Sequence, residues 1–542
     1  MMRIIPRLVP SLLIVLFLSP SLMLAQDDDH AHHARTADAR ALGRVSFSNS
    51  GNAAAQKPFL EGLALIHSFE YTEAVGAFRR AQKADASFAL PYWMEALTNT
   101  QLVWGIDDTA SAHAALNRLA PTPAERLARA RTPAERAFGA AVEAFYSNGS
   151  EESRTHAFAD SLRHWTQRMP TDPEAHAFAA LGIIWEALYL EGEAAAKLKT
   201  EAARHAQYVF DRNPLHPGAA HYIIHATDAP ATAQQGLRAA LEYSRIAPDA
   251  EHALHMPSHI FLPLGMWNEL ASANERAWKA SRAAAKRNHF ESWASDWHSL
   301  NWLQYAYLQQ GRWKAARALV DTARRLTSGM RGKVKPADDP DATLAVEQLA
   351  FRYGAETGDW SLFPSDSIAI DLNDATISQR ARGMGSIALY HKGLYALKAR
   401  HDSATVQSVI ASLSKSRPQA AQILEGLLSA ASKRSAQIEA LEKLRPLARV
   451  DRYSSMTPPN GPNIDEALGA ALVADGRAND AIKVYGEALN DRPRRAASLL
   501  GLLRAQEAAG DKAGARVTRA ELTKMWAHAD PEVRAKLMAR AE

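Results

Sequence analysis

Histidines are concentrated in residues 217–307, which hold seven of the chain's twenty histidines. His221 and His225 are four residues apart, so on a helix they would lie on the same face. The next three follow at intervals of three and four, which again gives one helical face: His252, His255 and His259. Two such helices packed side by side would bring five imidazoles together.

Neutral imidazole is a good ligand for several transition metals, which take three or four protein ligands. Histidines four residues apart on one helix can bind one ion together, although no glutamate completes an HExxH motif here. The sequence therefore predicts a site for zinc, copper, nickel or iron with four ligands: His221, His225, His255 and His259. Asp228 is expected to bind the ion or to orient an imidazole, and His252 to assist.

Two alternatives stay open for these histidines. They could hydrogen-bond each other, a peptide or water without holding a metal. Pro257 interrupts the second helix: a bend there would keep His259 near the others, whereas a helix beginning there would displace His252 and His255. No phosphate loop, serine nucleophile motif or paired-carboxylate motif accompanies them. The sequence thus favours binding over catalysis and leaves enzyme activity open.

The rest of the sequence predicts a scaffold of paired helices. Alanine is frequent and β-branched runs are rare, which favours helix over strand. A 34-residue pattern begins near Gly62, where Gly62 and Ala74 are small enough for two helices to cross and Phe78 fills the gap to the next pair. The pattern returns near the C-terminus in two successive units, marked by Gly469, Leu472, Gly476, Ala481, Tyr485, Ala488, Pro493, Gly510, Asp511 and Ala515.

With these repeats and the sequences HYIIHATD (221–228) and HMPSHIF (255–261), the chain resembles the tetratricopeptide repeat (TPR) superfamily, above all its exported bacterial branch. The resemblance implies an all-α fold, a right-handed α-solenoid of stacked antiparallel helix hairpins with a concave groove. It implies binding of a protein or peptide in that groove more readily than catalysis. The repeat frame would place further binding residues on the groove: Asp228, His252, His298, Asn301 and Tyr305.

Composition and the N-terminus limit the function further. The net charge of +4 is scattered, without a basic run carrying interleaved aromatics, which argues against nucleic acid as a partner. The chain has no cysteine, which excludes disulfides and thiolate metal sites. Arg3 and Arg7 precede the apolar stretch Leu8–Leu24, and Ala25 precedes an acidic run. This predicts a signal peptide cleaved after Ala25 and a periplasmic or secreted protein with no stable membrane span; an uncleaved anchor is the alternative.

The expected organisation has seven segments. They are a signal peptide (1–25), a flexible tail containing histidine and aspartate (26–55), a TPR-like solenoid with the histidine-rich groove (56–327), a linker or exposed loop (328–341), further helical hairpins (342–452), a proline-rich connection (453–463) and a C-terminal TPR pair (464–542). The expected function is that of an exported binding module or scaffold with a metal site in its groove. The alternative is a metal-dependent hydrolase or oxidoreductase, or a metal carrier, that uses the same histidines.

Overall fold

Helices make up nearly all of the regular structure. The computed structural model describes residues 41–287, 289–330, 332–364, 370–374, 376–432, 436–449, 452 and 455–537. Within these ranges the strands are two residues each and form one antiparallel ribbon: β1 (Thr100–Gln101) and β2 (Ile106–Asp107). The fold is therefore all-α, as the sequence predicts.

The N-terminal helices begin at well-marked caps. At Thr122 and Thr132 the threonine hydroxyl accepts from the backbone of a glutamate three residues on, whose carboxylate reaches back to the cap. These helices are α1 (Ala53–His67), α2 (Tyr71–Ala84), α3 (Leu90–Thr98), α4 (Thr109–Leu119), α5 (Pro123–Leu127), α6 (Pro133–Phe145), α7 (Glu151–Arg168), α8 (Pro173–Glu186) and α9 (Gly192–Arg212).

The central helices carry the histidines and the C-terminal helices complete the array. The central set is α10 (Pro217–Thr227), α11 (Ala233–Ile246), α12 (Glu251–His255), α13 (Ser258–Phe261), α14 (Trp267–Arg287), α15 (Trp297–Gln309), α16 (Trp313–Thr327) and α17 (Pro340–Thr357). The C-terminal set is α18 (Gln379–Tyr395), α19 (Ser403–Ser416), α20 (Pro418–Ser432), α21 (Gln437–Ala448), α22 (Ile464–Ala474), α23 (Ala478–Asp491), α24 (Ala496–Ala508), α25 (Lys512–Met525) and α26 (Pro531–Ala535).

Neighbouring and alternate helices pack together along the array. For example, α8 contacts both α9 and α10, and α22 contacts both α23 and α24. Contacts between helices one and two apart in sequence are what stacked hairpins produce. The described residues form an all-α solenoid of stacked antiparallel hairpins.

Small residues at the helix crossings explain how tightly the hairpins close. A Cβ atom added at Gly62 would lie 2.5 Å from the ring of Phe78, and one added at Gly469 would lie 2.5 Å from the ring of Tyr485. No side chain larger than glycine fits at such a distance without displacing the ring. The predicted role of Gly62 as a small residue at a helix crossing is thereby confirmed, and the ring it admits is that of Phe78 in the same hairpin.

Residues 41–52 lie against the helices. Leu42 and Phe47 are buried, and the backbone N–H of Arg44 donates to the carbonyl of Leu215 at 2.8 Å. The sequence predicts a flexible tail up to residue 55, because this stretch has no apolar periodicity. The structure differs, because the two apolar side chains Leu42 and Phe47 are buried in the core and hold the segment against the helices. The predicted signal peptide and residues 26–40 lie outside the described residues. None of the helices that are described is both long and apolar enough to cross a membrane.

The C-terminal hairpins pack onto the turns of the central hairpins. The indole of Trp267 donates to the carbonyl of Arg494 at 2.9 Å, and that of Trp526 donates to the carbonyl of Gln309 at 3.0 Å. Gly265, in the left-handed region with φ of +62°, lies so close to Pro493 that a Cβ atom would be 2.5 Å from its carbonyl oxygen. The last repeats therefore contact a hairpin some 200 residues earlier in sequence.

The described part of the proline-rich connection, residues 455–463, has no helix or strand and reaches α10. The Ser455 hydroxyl donates to a carboxylate oxygen of Asp228 at 2.7 Å, and the Met456 N–H donates to the carbonyl of Asp228 at 3.3 Å. Met456 is buried by this contact. Asp228, at the C-terminal end of α10, is thus fixed from a distant part of the chain.

Candidate metal centre

Helix α10 presents two buried histidines from one face. It starts with Pro217 at its first turn, and the ring of His216 caps it by accepting from the N–H of Ala219 at 3.1 Å. His221 and His225 then follow one turn apart, with ring centroids separated by 4.7 Å, and both are buried. The predicted shared face is confirmed.

Pro257 bends the second histidine segment without dispersing it. Helix α12 ends at His255, and α13 begins at Ser258 after Pro257, which cannot donate a backbone hydrogen bond. The Nε2 atoms of His255 and His259 are nevertheless 3.2 Å apart. A new helix thus begins after Pro257, but the displacement expected with it does not occur, because His252 stays 3.2 Å from His221 and His255 stays beside His259.

The first cluster, the α10 triad, consists of His221, His225 and His252. Each offers a ring nitrogen, and the three nitrogens lie within 4.8 Å of one another. Nδ1 of His221 donates to the carbonyl of His67 at 2.7 Å, so its Nε2 is unprotonated and lies 3.2 Å from Nε2 of His252. Nε2 of His225 is buried and has no hydrogen-bond partner among the described residues.

The second cluster, the α13 triad, consists of His255, His259 and His298, whose ring nitrogens also lie within 4.8 Å of one another. Nδ1 of His255 is 2.7 Å from Oδ1 of Asn274, and the Asn274 amide nitrogen donates to Ser258 and Leu270. Oδ1 of Asn274 is therefore the acceptor, and His255 carries its proton on Nδ1. Its Nε2 faces the cluster with a free lone pair.

Asp228 faces His259. Its carboxylate Oδ2 lies 3.4 Å from Nδ1 of His259, and Oδ1 lies 3.5 Å from Lys199. Burial alone would raise the pKa of Asp228, but the neighbouring His259 and Lys199 lower it to about 2. Nδ1 of His259 makes no hydrogen bond among the described residues, but the adjacent carboxylate charge favours a proton on Nδ1 over a lone pair there.

Burial keeps most of these imidazoles neutral at pH 7. It lowers the pKa of His225 and of His255 to about 3, with a further contribution from the neighbouring His259. Burial and adjacent imidazoles also hold the pKa well below the usual range in His221 and His252. Neutral imidazole is the form that binds metals.

Aromatic side chains enclose both triads. The Phe69 ring lies 4.3 Å from that of His221, and Trp104 lies 5.4 Å from His252, measured between centroids. On the other side, Trp302 lies 4.7 Å from His259. Phe69 has a positive φ of 57°, which is costly for a bulky residue and is maintained here by its packing against three histidines. The walls are apolar, and His298 lies at the exposed edge.

A third histidine cluster differs from the two triads because every ring nitrogen in it has a hydrogen-bond partner. Glu174 accepts from Nε2 of His67 at 2.9 Å and from Nε2 of His216 at 3.2 Å. The second nitrogen of His67 contacts the hydroxyl of Tyr222 at 2.9 Å, and that of His216 caps α10. Burial opposes ionisation of Glu174, but the two histidines lower its pKa to about 2. Each ring nitrogen already has a partner, so this cluster is a buried hydrogen-bond network beneath the α10 triad.

The structure divides the four predicted ligands between the triads: His221 and His225 lie in one, His255 and His259 in the other. His252, expected to assist, and His298, expected on the groove, occupy positions equivalent to theirs. Asp228 lies behind His259 and orients it. A single site made of the four predicted residues is replaced by two adjacent sets of three.

The two remaining predicted groove residues have other partners. The Asn301 side chain accepts from Arg352 and contacts Gln348. Tyr305 is buried, and its hydroxyl accepts from Arg495 at 3.1 Å. Both lie on α15 beyond His298, where Asn301 faces α17 and Tyr305 faces Arg495 at the start of α24.

Several residues of the centre could not be selected from the sequence. Phe69 and Trp104 come from loops more than 100 residues before the histidines, and Ser455 comes from far beyond them. Asn274 did leave a signal, because it is a polar residue on the otherwise apolar face of α14, four positions after Leu270. A buried amide at such a position calls for a partner.

Comparison with known proteins gives structural neighbours only. No protein-family model matches the chain, and no curated protein matches it. Among solved structures, yeast Tom70 is 11% identical with a TM-score of 0.32, covering 85% of this chain and 96% of Tom70. The human IFIT1 dimer with m7Gppp-AAAA is 12% identical with a TM-score of 0.30, covering 91% and 89%. Similarities of this size assign neither a ligand nor a partner.

Proposed function

We propose that this chain is an exported TPR-like scaffold that binds transition-metal ions through the histidines of the α10 and α13 triads. The observation that carries the proposal is the pair His255 and His259. Nε2 of His255 carries a lone pair, because Nδ1 donates to Asn274, and it faces Nε2 of His259 at 3.2 Å. His259 can donate to that lone pair only by placing its own Nδ1 lone pair 3.4 Å from the Asp228 carboxylate, whereas a cation between the two Nε2 atoms would let His259 carry its proton on Nδ1.

A shared proton is the competing explanation for that contact. It would leave a positive charge in a buried cluster, and the pKa of His255, lowered to about 3 by burial, opposes this. A metal ion is bound more favourably than a proton at this contact, because a third imidazole, that of His298, can coordinate the same ion. The ligand set of neutral imidazoles suits zinc, copper, nickel or iron and disfavours magnesium, calcium and manganese.

Metal analysis of protein purified without a histidine tag tests the proposal. We expect bound zinc or copper, and a melting temperature that rises on titration, since a hundredfold excess over Kd stabilises by about 3 kcal/mol. The double variant His225→Ala/His259→Ala should lose this increment and keep its helix content. The exposed pair His113→Ala/His164→Ala is the matched control. A wild-type melting temperature unmoved by every divalent ion would refute metal binding.

Export is part of the proposal and rests on residues 1–25 together with the resemblance to the exported bacterial branch. An envelope location would give an apo site access to metals without competition from cytosolic thiols. Mass mapping of the mature N-terminus should find Gln26 first. Protein in the envelope that still begins with Met1 would contradict cleavage.

Peptide binding is the second candidate function, and a cavity among the C-terminal hairpins favours it. The cavity has a volume of about 620 Å³ and is lined by Arg417, Arg449 and Arg492 together with Asp465 and Asp491. Such a cavity suits the acidic part of a protein partner. An acidic peptide should bind the wild type and fail to bind the double variant Arg417→Glu/Arg492→Glu. Equal binding to both would rule out this cavity as the peptide site.

A further inference from the structure

We propose that the two triads hold a coupled pair of copper ions that share one bridging oxygen ligand. This inference rests on the proposed metal binding and concerns the number of ions and their relation. Each triad supplies three imidazoles, which is the number of protein ligands in sites that keep a coordination position open. Two such sets side by side define a dinuclear centre.

The distances place the triads face to face. Within each triad the ring nitrogens lie within 4.8 Å of one another. Three nitrogens that bind one ion at ~2.1 Å each are about 3.4–3.6 Å apart, so each triad would close by about 1 Å around its ion. Across the gap, the ring of His225 is 6.1 Å from that of His259, and the ring of His252 is 6.3 Å from that of His255. The rings of the two triads therefore lie next to each other. The space between them is too small for two ions that each keep their own bound water. Catalytic ion pairs are typically about 3.5–4 Å apart, a distance that one bridging oxygen atom can span.

The donor set favours copper over the alternatives. All six donors are imidazoles, and the nearest carboxylate, Asp228, is engaged by His259, Lys199 and Ser455 rather than facing the gap. Divalent copper binds nitrogen ligands more tightly than zinc, nickel or iron does. The nitrogen lone pair of His255 already faces the gap, as does that of His221.

The bridging position is reachable from solvent. His298 lies at the exposed edge of the α13 triad, whereas Phe69 and Trp302 cover the flanks. Water entering there and binding both ions loses one proton to solvent and remains as hydroxide between them. The bridge therefore needs no other reactant, and it satisfies the open position of both ions at once.

Copper stoichiometry and electron paramagnetic resonance of the full chain test the pairing. We expect two copper(II) ions per chain and the loss of most of the copper signal, because two unpaired electrons coupled through one bridging atom cancel. His252→Ala, in the α10 triad, and His298→Ala, in the α13 triad, should each bind one copper ion with its full signal. The control pair His113→Ala/His164→Ala should behave as wild type. Circular dichroism checks that every variant is folded.

The outcomes separate the two proposals. Absence of bound copper in the folded wild type would overturn the copper pair, and metal binding would fall with it only if zinc, nickel and iron also failed to bind. One copper ion per chain, or two ions with an undiminished signal, would overturn the pair and leave metal binding intact. Loss of both ions in each single-histidine variant would also overturn the arrangement of two triads, because each triad should retain its own ion.

Discussion

A hydrogen bond on one side of an imidazole ring decides what the other side can do. Asn274 holds the proton of His255 on Nδ1, and the carbonyl of His67 does the same for His221. The Asp228 charge, 3.4 Å from Nδ1 of His259, favours the same tautomer there. Partners of this kind fix the tautomer and raise the basicity of the free nitrogen. The rings are thus prepared for coordination by groups that never touch the ion.

Replacing Asp228 with asparagine should therefore weaken metal binding. Asparagine keeps the shape but removes the charge that holds the His259 proton, and changes of this type typically cost 10–100-fold in affinity. We expect a loss of that size in a competition titration with copper. Asp211→Asn, at an exposed position on α9, is the control and should bind like wild type. Equal affinities in the two variants would show that Asp228 does not act through His259.

Glu347 on α17 gives a prediction about pH. Its side chain is buried, and neither carboxylate oxygen has a hydrogen-bond partner among the described residues. A ring nitrogen of His391 lies 3.8 Å away, but burial lowers the pKa of His391 to about 3, so the ring is neutral. Burial raises its pKa from 4.5 to about 8, although Lys392 acts in the opposite sense. The unfolded chain ionises at lower pH than the folded chain, so unfolding releases a proton and stability falls as the pH rises from about 4.5 to 8.

Glu347→Gln should remove this penalty. The amide has the same shape and never ionises, so the variant should melt higher than wild type at pH 8 by an amount worth a few kcal/mol, since one pKa unit corresponds to ~1.4 kcal/mol. The difference should vanish near pH 4. Thermal melts across this range measure it, with the exposed Glu442→Gln as control. A wild type whose melting temperature stays level from pH 5 to pH 8 would contradict the raised pKa.

At the scale of helices, glycines decide how closely a hairpin can close. Gly469 on α22 and Gly486 on α23 are both helical, but a Cβ atom at Gly469 would lie 2.5 Å from the Tyr485 ring whereas one at Gly486 would meet nothing within 4 Å. Gly469→Ala should destabilise the chain by about 1–3 kcal/mol through overpacking. Gly486→Ala should stabilise it by up to ~1 kcal/mol, because alanine is the better helix former.

Chemical denaturation of the two alanine variants measures this difference directly. The two substitutions are chemically identical and lie in the same hairpin, so both gain the same helix propensity. A difference in sign between their changes in unfolding free energy therefore measures the overpacking at the helix crossing. Two variants that shift stability in the same direction would mean that the crossing of α22 and α23 is looser than the structure shows.

Features that depend on the spacing of residues within one helix or hairpin could be predicted from the sequence, whereas features that depend on contacts between distant segments could not. The shared helical face of His221 and His225 and the small residue Gly62 at a helix crossing follow from spacing along single hairpins, and both were correct. The contact of Gly62 with Phe78 was not predicted. The division into two triads did not follow, because it depends on how His298 and His252 approach from separate helices. The positive φ of Phe69 and the reach of Ser455 to α10 are tertiary features with no local signature.

At the scale of the whole described chain, Arg495 joins the last repeats to the middle of the array. Its side chain is buried and pairs with Glu356 on α17 at 2.7 Å and with Glu466 on α22 at 2.7 Å. It also donates to the hydroxyl of Tyr305 on α15 at 3.1 Å. One guanidinium therefore satisfies groups from three hairpins.

Arg495→Met should destabilise the chain strongly. Removing one partner of a buried pair leaves uncompensated carboxylates, a change that costs about 3–5 kcal/mol. Arg519→Met breaks an ion pair with Glu507 at a more exposed position and should cost no more than ~1 kcal/mol. Urea unfolding followed by helical signal compares them. Similar small losses would show that the C-terminal hairpins are held mainly by their own repeat contacts.

The docking of Pro493 and Arg494 on the turn at Gly265 also bears on how this protein can change over evolutionary time. An open array tolerates duplication or loss of a hairpin, since each unit touches only its neighbours. Here residues 265–493 form a closed path, because Pro493 contacts the turn at Gly265. Adding or removing one hairpin within that path would shift the last repeats and break this contact. We expect length variation among natural variants to fall in loops or after residue 537, with the hairpin count between these two contacts unchanged.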